Sequence, residues 1–284
     1  MEKFNAHKGQ IQRDGYTLGY RIEGDGAPLL IIGSHVFYPR TFSANLRTKR
    51  KLIFVDHRGF SPVNRAIHTR DCALVTIMDD LSALCQTLGL AQTDILGHSG
   101  HGYMALEFAR RCPERVRKTV LVGTGPNQSP ETMAHGERIW AMLAAPDRKK
   151  RLEQDLEWMT RQIEAEPEKR FIWMCLGMGA RSWFDPHFDA RDLWQDVHVN
   201  MPIFDHLWGE TFRDYDTHKA LSEMKRPLLI CMGRHDHLVA PVETWFPYLP
   251  EKNQPVFALF EHSAHTPQLE EADLFDDRLL TFLS

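Results

Sequence analysis

Cysteine is sparse in this chain and shows no pattern. The five thiols, Cys72, Cys85, Cys112, Cys175 and Cys231, are odd in number and have no C-x-x-C spacing. That excludes a disulfide framework or a thiolate zinc site as the basis of the fold. Most of the cysteines read as small buried hydrophobes, and the compartment as reducing, most simply the cytoplasm. Positive charge is not in excess either: 34 Lys and Arg stand against 38 Asp and Glu, a net charge of −4. No basic surface is expected for a nucleic acid or an anionic membrane. The runs Arg47 to Lys51 and Arg148 to Arg151 read as solvated helix faces. Long hydrophobic runs are missing. Stretches such as LLII and LIFV are far too short to span a bilayer, and the first twenty residues hold no apolar segment of signal-peptide length.

What the sequence does have is enough apolar residue for a sizeable core: 43% of 284 residues, with 25% charged. Asp14-Gly15 followed by alternating Tyr16, Leu18, Tyr20 and Ile22 reads as a hairpin. Short runs that are apolar on both faces then alternate with helical stretches. These runs are Pro28–Ile32, Leu52–Val55, Thr93–Leu96, Thr119–Val122, Pro227–Met232 and Val256–Phe260. Such runs fit parallel strands buried between helices. Leu74, Ile77, Leu81, Leu84 and Leu88 recur at the helical period within 71–88, with Gly89 as a stop. A second helical period covers 269–283. The alternation predicts an α/β fold with a mostly parallel, doubly wound sheet. From 125 to 221 no buried strand is legible, yet six of the seven tryptophans fall there. The expected organisation is a core of residues 1–124 and 222–284 with an inserted helical cap, 125–221. These tryptophans are expected to stack within the cap and on the core; the alternative is that some line a pocket between cap and sheet.

The chemistry concentrates at three strand ends. In Asp94 to Ala105, DILGHSGHGYMA, a buried run passes into Gly97-His98-Ser99-Gly100-His101-Gly102 and then a helix. A serine on a sharp strand-to-helix turn is lifted clear of the sheet and meets free N–H groups at the helix start. The usual G-x-S-x-G places glycine where His101 stands here. Asp236 follows the run ending at Gly233, and His265 follows the run ending at Phe260. The order Ser99, Asp236, His265 supplies a nucleophile, an acid and a base from three separate loops. His265 would take the serine proton, and Asp236 would orient the imidazole. The oxyanion donors would be the N–H groups of Gly100 and of Ser34, after the first parallel strand. No H-E-x-x-H helix occurs, and neither a metal nor another cofactor is expected.

These residues resemble the α/β-hydrolase superfamily. The likeness narrows to the proline iminopeptidase family of serine aminopeptidases: Val55-Asp56-His57-Arg58-Gly59 matches its D-x-R-G turn, and Gly209 to Asp236 is similar to its cap exit and acid strand. The resemblance implies an α/β-hydrolase fold and metal-free cleavage of an N-terminal residue, with cap acids holding the free amine. Asp205 is the candidate for such an acid. Three places depart from that family. The oxyanion loop is Ile32 to Pro39, IGSHVFYP, instead of HGGPG; Gly100 replaces a tryptophan; His237 replaces a glutamate after the acid. Candidate substrate contacts are His35, His98, Trp183, Asp205, Trp208 and His237. The expected partner is a small molecule or short peptide. Carboxylesterase, lactonase or carbon–carbon bond hydrolase activity is the alternative, as is a ligand-binding receptor that keeps the triad.

Overall fold

The computed structural model describes residues 6–284. The chain opens with β1 (His7–Arg13) and β2 (Tyr16–Glu23), an antiparallel hairpin turned by Asp14 and Gly15, both at positive φ. Then come β3 (Ala27–Gly33), β4 (Arg50–Asp56), β5 (Thr93–His98), β6 (Val116–Val122), β7 (Leu228–Gly233) and β8 (Val256–Phe260). They form one sheet in the order β1-β2-β4-β3-β5-β6-β7-β8. It is parallel from β4 to β8 and antiparallel at β1 and β2. This is the doubly wound arrangement expected of the apolar runs.

Alternation within each strand divides the core. Leu30 and Ile32 of β3 join Ile53, Ile95 and Ile230 on the face covered by the helices Leu74–Thr87 and His101–Arg111. Leu29 and Ile31 join Phe54, Leu96 and Val120 on the face covered by the C-terminal helix Ala272–Leu283. All these strand side chains are essentially inaccessible. Burying each contributes about 2 kcal/mol of hydrophobic free energy. The sheet is therefore a rigid platform whose C-terminal strand ends carry the loops of interest. Between β6 and β7 the described residues form helices and no strand, including Pro130–Leu143, Pro146–Ala165, Arg170–Gly177 and Met201–His206.

Four local expectations are corrected. The helix expected from residue 71 breaks at extended Ala73, because Asp71 closes a capping box with His68 and is pinned by arginines. The terminal helix breaks at Glu271, whose carboxylate accepts hydrogen bonds from His262 N–H and the Ser263 hydroxyl. The run Arg47 to Lys51 is no solvated face. Arg47 and Arg50 are buried and pair with Glu23 and Asp94. In the run from Arg148 to Arg151, Arg148 donates to the carbonyls of Ala180, Trp183 and Phe184.

Arg58 anchors the turn after β4. Its fully buried guanidinium donates to Asp80 at 2.6 Å, Asp71 at 2.8 Å and Asp14 at 2.7 Å, and lies 4.7 Å from the Tyr16 ring centroid. Removing one partner of a buried charge cluster costs about 3–5 kcal/mol, because the others keep their desolvation penalty. Arg58→Met is expected to lower unfolding free energy by about that much, measured by urea denaturation. A loss below 1 kcal/mol would show the cluster to be dispensable.

Candidate active site

Ser99 sits between the end of β5 and the helix His101–Arg111, with φ +56°. A non-glycine residue held in the left-handed region costs about 1–3 kcal/mol and persists where its surroundings over-determine it. Here Ser99 N–H donates to Val122 C=O at 2.8 Å, and Ser99 C=O accepts from Gly102 N–H and Thr124 Oγ1, each at 2.9 Å. Those contacts explain the displaced glycine of the motif. A Cβ on Gly102 would stand 2.2 Å from Thr124 Oγ1, so position 102 must be glycine while position 101 can carry an imidazole.

Asp236 and His265 leave neighbouring strands, β7 and β8, and meet. His265 Nδ1 lies 2.8 Å from Asp236 Oδ2, and both residues are buried. The other carboxylate oxygen accepts from Leu238 N–H at 2.9 Å and Val239 N–H at 3.2 Å. A carboxylate held this way makes Nδ1 the protonated nitrogen and leaves Nε2 to act as a base. The His265 backbone is tied on both sides. Its N–H donates to Ser182 C=O at 2.9 Å, and its C=O accepts from His98 Nε2 at 2.8 Å. Glu270 accepts from Ala264 N–H and Thr266 N–H, gripping the loop from below.

The remaining candidates separate. Trp208 is at the centre: a Cβ on Gly100 would come within 2.5 Å of its ring. A π-helical turn, Leu207–Thr211, presents it; such turns are rare and frequently functional. A side chain at position 100 would collide with this indole, so glycine fits there. His237 is half-buried, its ring 5.2 Å from that of Trp140 and its N–H on Arg181 C=O at 3.0 Å. Burial, with Arg148 nearby, pulls it down to about 4.

Asp205 does not face the site. It is exposed and pairs with Arg170 at 2.5 Å, because the short helix Met201–His206 turns Ile203 and Phe204 inward instead. His35 turns to Asp56, its Nδ1 at 2.8 Å, and lines a surface cleft of about 440 Å³ with Lys8, Asp196 and His198. Trp183 is buried with the core cluster of Leu29, Ile31 and Phe54, its ring 4.4 Å from that of exposed Phe188. His98 is buried beneath the His265 loop. Ser34 is buried, and its hydroxyl accepts from Val36 N–H and Phe37 N–H, which shapes the loop after β3.

Residues that the motif reading missed lie beneath Ser99. Tyr38 and His57 join His98 and His101 in a buried group. The aromatic wall around Trp208 includes Phe171, Phe204 and Phe212. Only the concentration of histidines near Ser99 hinted at the first group. Among the described residues, no group of three or more His, Cys, Asp or Glu side chains could hold a metal ion, and no helix is long and apolar enough to cross a membrane.

With this geometry in place, the comparisons define the class. The chain belongs to the alpha/beta hydrolase fold family, whose model matches residues 26–272. Among curated relatives it is 41% identical over 281 residues to the AB hydrolase superfamily protein YclE of Bacillus subtilis strain 168, covering 97% of this chain and 98% of the relative. It is 23% identical to the proline iminopeptidase PfmaB of Pestalotiopsis fici, covering 96% and 98%. Among solved structures, an alpha/beta fold family hydrolase from Bacillus anthracis aligns with a TM-score of 0.74 at 18% identity, covering 98% and 99%.

The buried histidines make stability depend on acidity. Burial pulls His101 down to about 4 and holds His57 and His98 well below the ordinary value. The unfolded chain takes up these protons near pH 6.5. Between pH 6.5 and about 4 the unfolded state therefore binds protons that folded His101 refuses, and acid favours unfolding. Each such group costs about 1.4 kcal/mol per pH unit. The urea midpoint is expected to fall steadily from pH 7 to 5; a flat midpoint would contradict neutral burial.

Proposed function

We propose that this α/β hydrolase is a serine hydrolase that cleaves an ester or amide of a small substrate through an acyl-enzyme. The observation that carries it is the 2.8 Å contact between His265 Nδ1 and the Asp236 carboxylate, with a serine at φ +56° on the strand-to-helix turn next to His98, whose Nε2 meets the His265 carbonyl at 2.8 Å. In this reading Ser99 Oγ attacks the carbonyl as His265 Nε2 takes its proton. The imidazolium, stabilised by Asp236, returns that proton to the leaving group. Water, activated by the same imidazole, then releases the acid. The N–H groups of Gly100 and Ser34 hold the oxyanion. The alternative loop donor, His35 N–H, is committed to Asp56 Oδ1 at 2.8 Å, which supports Ser34. Each oxyanion donor is worth about 3–4 kcal/mol. Residues 125–221 act as the cap over the 1–124 and 222–284 core, and the five free cysteines suit a reducing, cytoplasmic setting.

An ester with an uncharged acyl group fits the surroundings better than a peptide amine. The wall facing Gly100 is aromatic; Asp205 faces solvent; and His237, at the family's glutamate position, is neutral. Neither Asp205 nor His237 would therefore supply an anion to offset the desolvation of an ammonium. The aminopeptidase reading has its own support, the end-to-end similarity to PfmaB. Purified enzyme should be offered short p-nitrophenyl esters alongside proline, alanine and glycine arylamides. Ester turnover well above arylamide turnover is the expected result, and the reverse would establish the aminopeptidase. Ser99→Ala is expected to lower kcat by about 10⁶-fold. A fluorophosphonate should label Ser99; an inert serine would favour the ligand-binding alternative.

A further inference from the structure

Four buried side chains beneath the nucleophile turn form a hydrogen-bonded chain whose direction can be worked out atom by atom. At one end, Gly59 N–H donates to His57 Nδ1 at 3.0 Å. That nitrogen carries no proton, so neutral His57 is protonated at Nε2. His57 Nε2 lies 3.1 Å from His101 Nε2, which must accept. Neutral His101 is then protonated at Nδ1. A second contact requires the same tautomer independently: His101 Nδ1 lies 3.0 Å from His98 C=O, an obligate acceptor. His101 Nδ1 also reaches the Tyr38 hydroxyl at 2.9 Å. At the other end, His98 Nε2 lies 2.8 Å from His265 C=O and must donate. His98 Nδ1 is therefore an acceptor, and the Tyr38 hydroxyl, 3.2 Å away, donates to it. Every link runs the same way, from Gly59 to the His265 carbonyl. A single extra proton on His57 or His101 would set two donors face to face.

We propose that Tyr38, His57, His98 and His101 are a positioning relay that holds the backbone of His265, and hence its imidazole, in register with Ser99. This rests on the reading of His265 as the base. The four residues come from the loop after β3, the turn after β4 and both sides of Ser99, so the relay ties three strand-end loops to the fourth. Its outer end is roofed by Trp208, whose ring centroid is 5.5 Å from that of His101 and 6.5 Å from that of His57. That cover keeps water from competing for the links. The His98 ring also lies 4.7 Å from the His265 ring, so packing and hydrogen bonding fix the loop together. These residues do not touch the reacting atoms. They act through His265.

Long-range ¹H–¹⁵N correlation spectra of the wild-type chain near pH 7 test the relay without any turnover. His57 and His98 are expected as Nε2–H tautomers and His101 as Nδ1–H. A different neutral tautomer, or a cationic ring, at any of the three would overturn the relay. Tyr38→Phe removes the middle link and keeps the ring. Its expected effect is a kcat about 10- to 100-fold lower, with KM within about twofold and fluorophosphonate labelling of Ser99 slowed in proportion. Wild-type kcat and labelling in Tyr38→Phe would reject the positioning role. Should that variant fail to fold, the wild-type tautomers still decide. Correct tautomers alongside an unreactive Ser99 would sink the acyl-enzyme reading while supporting the relay as the anchor of the His265 loop.

Discussion

A carboxylate engaged through both of its oxygens is the constraint from which the site is built. One oxygen of Asp236 takes two backbone N–H groups of its own loop, and the other takes His265 Nδ1. Neither residue could be buried alone at tolerable cost. An unpaired carboxylate or imidazolium would be expelled or neutralised, whereas the pair satisfies both. Because β7 and β8 are adjacent and parallel, their C-terminal loops can deliver the two groups to one point. The rigid sheet then makes that meeting a property of the whole core.

Around this pair the molecule spends its polar groups on holding loops. Glu270 and Glu271 break the terminal helix to grip the His265 segment. Arg58 gathers three aspartates to fix the turn that carries His57. Ser34 folds its hydroxyl back on its own loop. Where these groups are buried, a low local dielectric strengthens each satisfied bond and penalises each missing one. A strained serine can persist in such a setting because its neighbours leave it no cheaper conformation.

The helical insertion contributes in a different way. Trp208 lands on the glycine that follows Ser99, and its aromatic neighbours form an apolar wall. Two ion pairs of this segment, Arg170 with Asp205 and Arg181 with Glu137, occupy its charged side chains with one another. Core and insertion thus divide the work proposed for the enzyme. In that proposal the core supplies the reactive groups and their alignment, and the helical segment between β6 and β7 supplies an apolar surround suited to uncharged substrates.

Much of this was legible in the residues themselves. Apolar runs on both faces specify buried parallel strands, and a serine, an acid and a histidine placed just after three of them specify which side chains share the sheet edge. Period and spacing are local properties, so sequence can carry them. The orientation of Asp205, the turning of His35 onto Asp56, the burial of Arg47 and Arg50 and the joining of Tyr38 to His57, His98 and His101 were not legible. Each depends on a partner tens of residues away, and a polar side chain reads alike whether it meets solvent or a buried partner. Only the folded chain decides which.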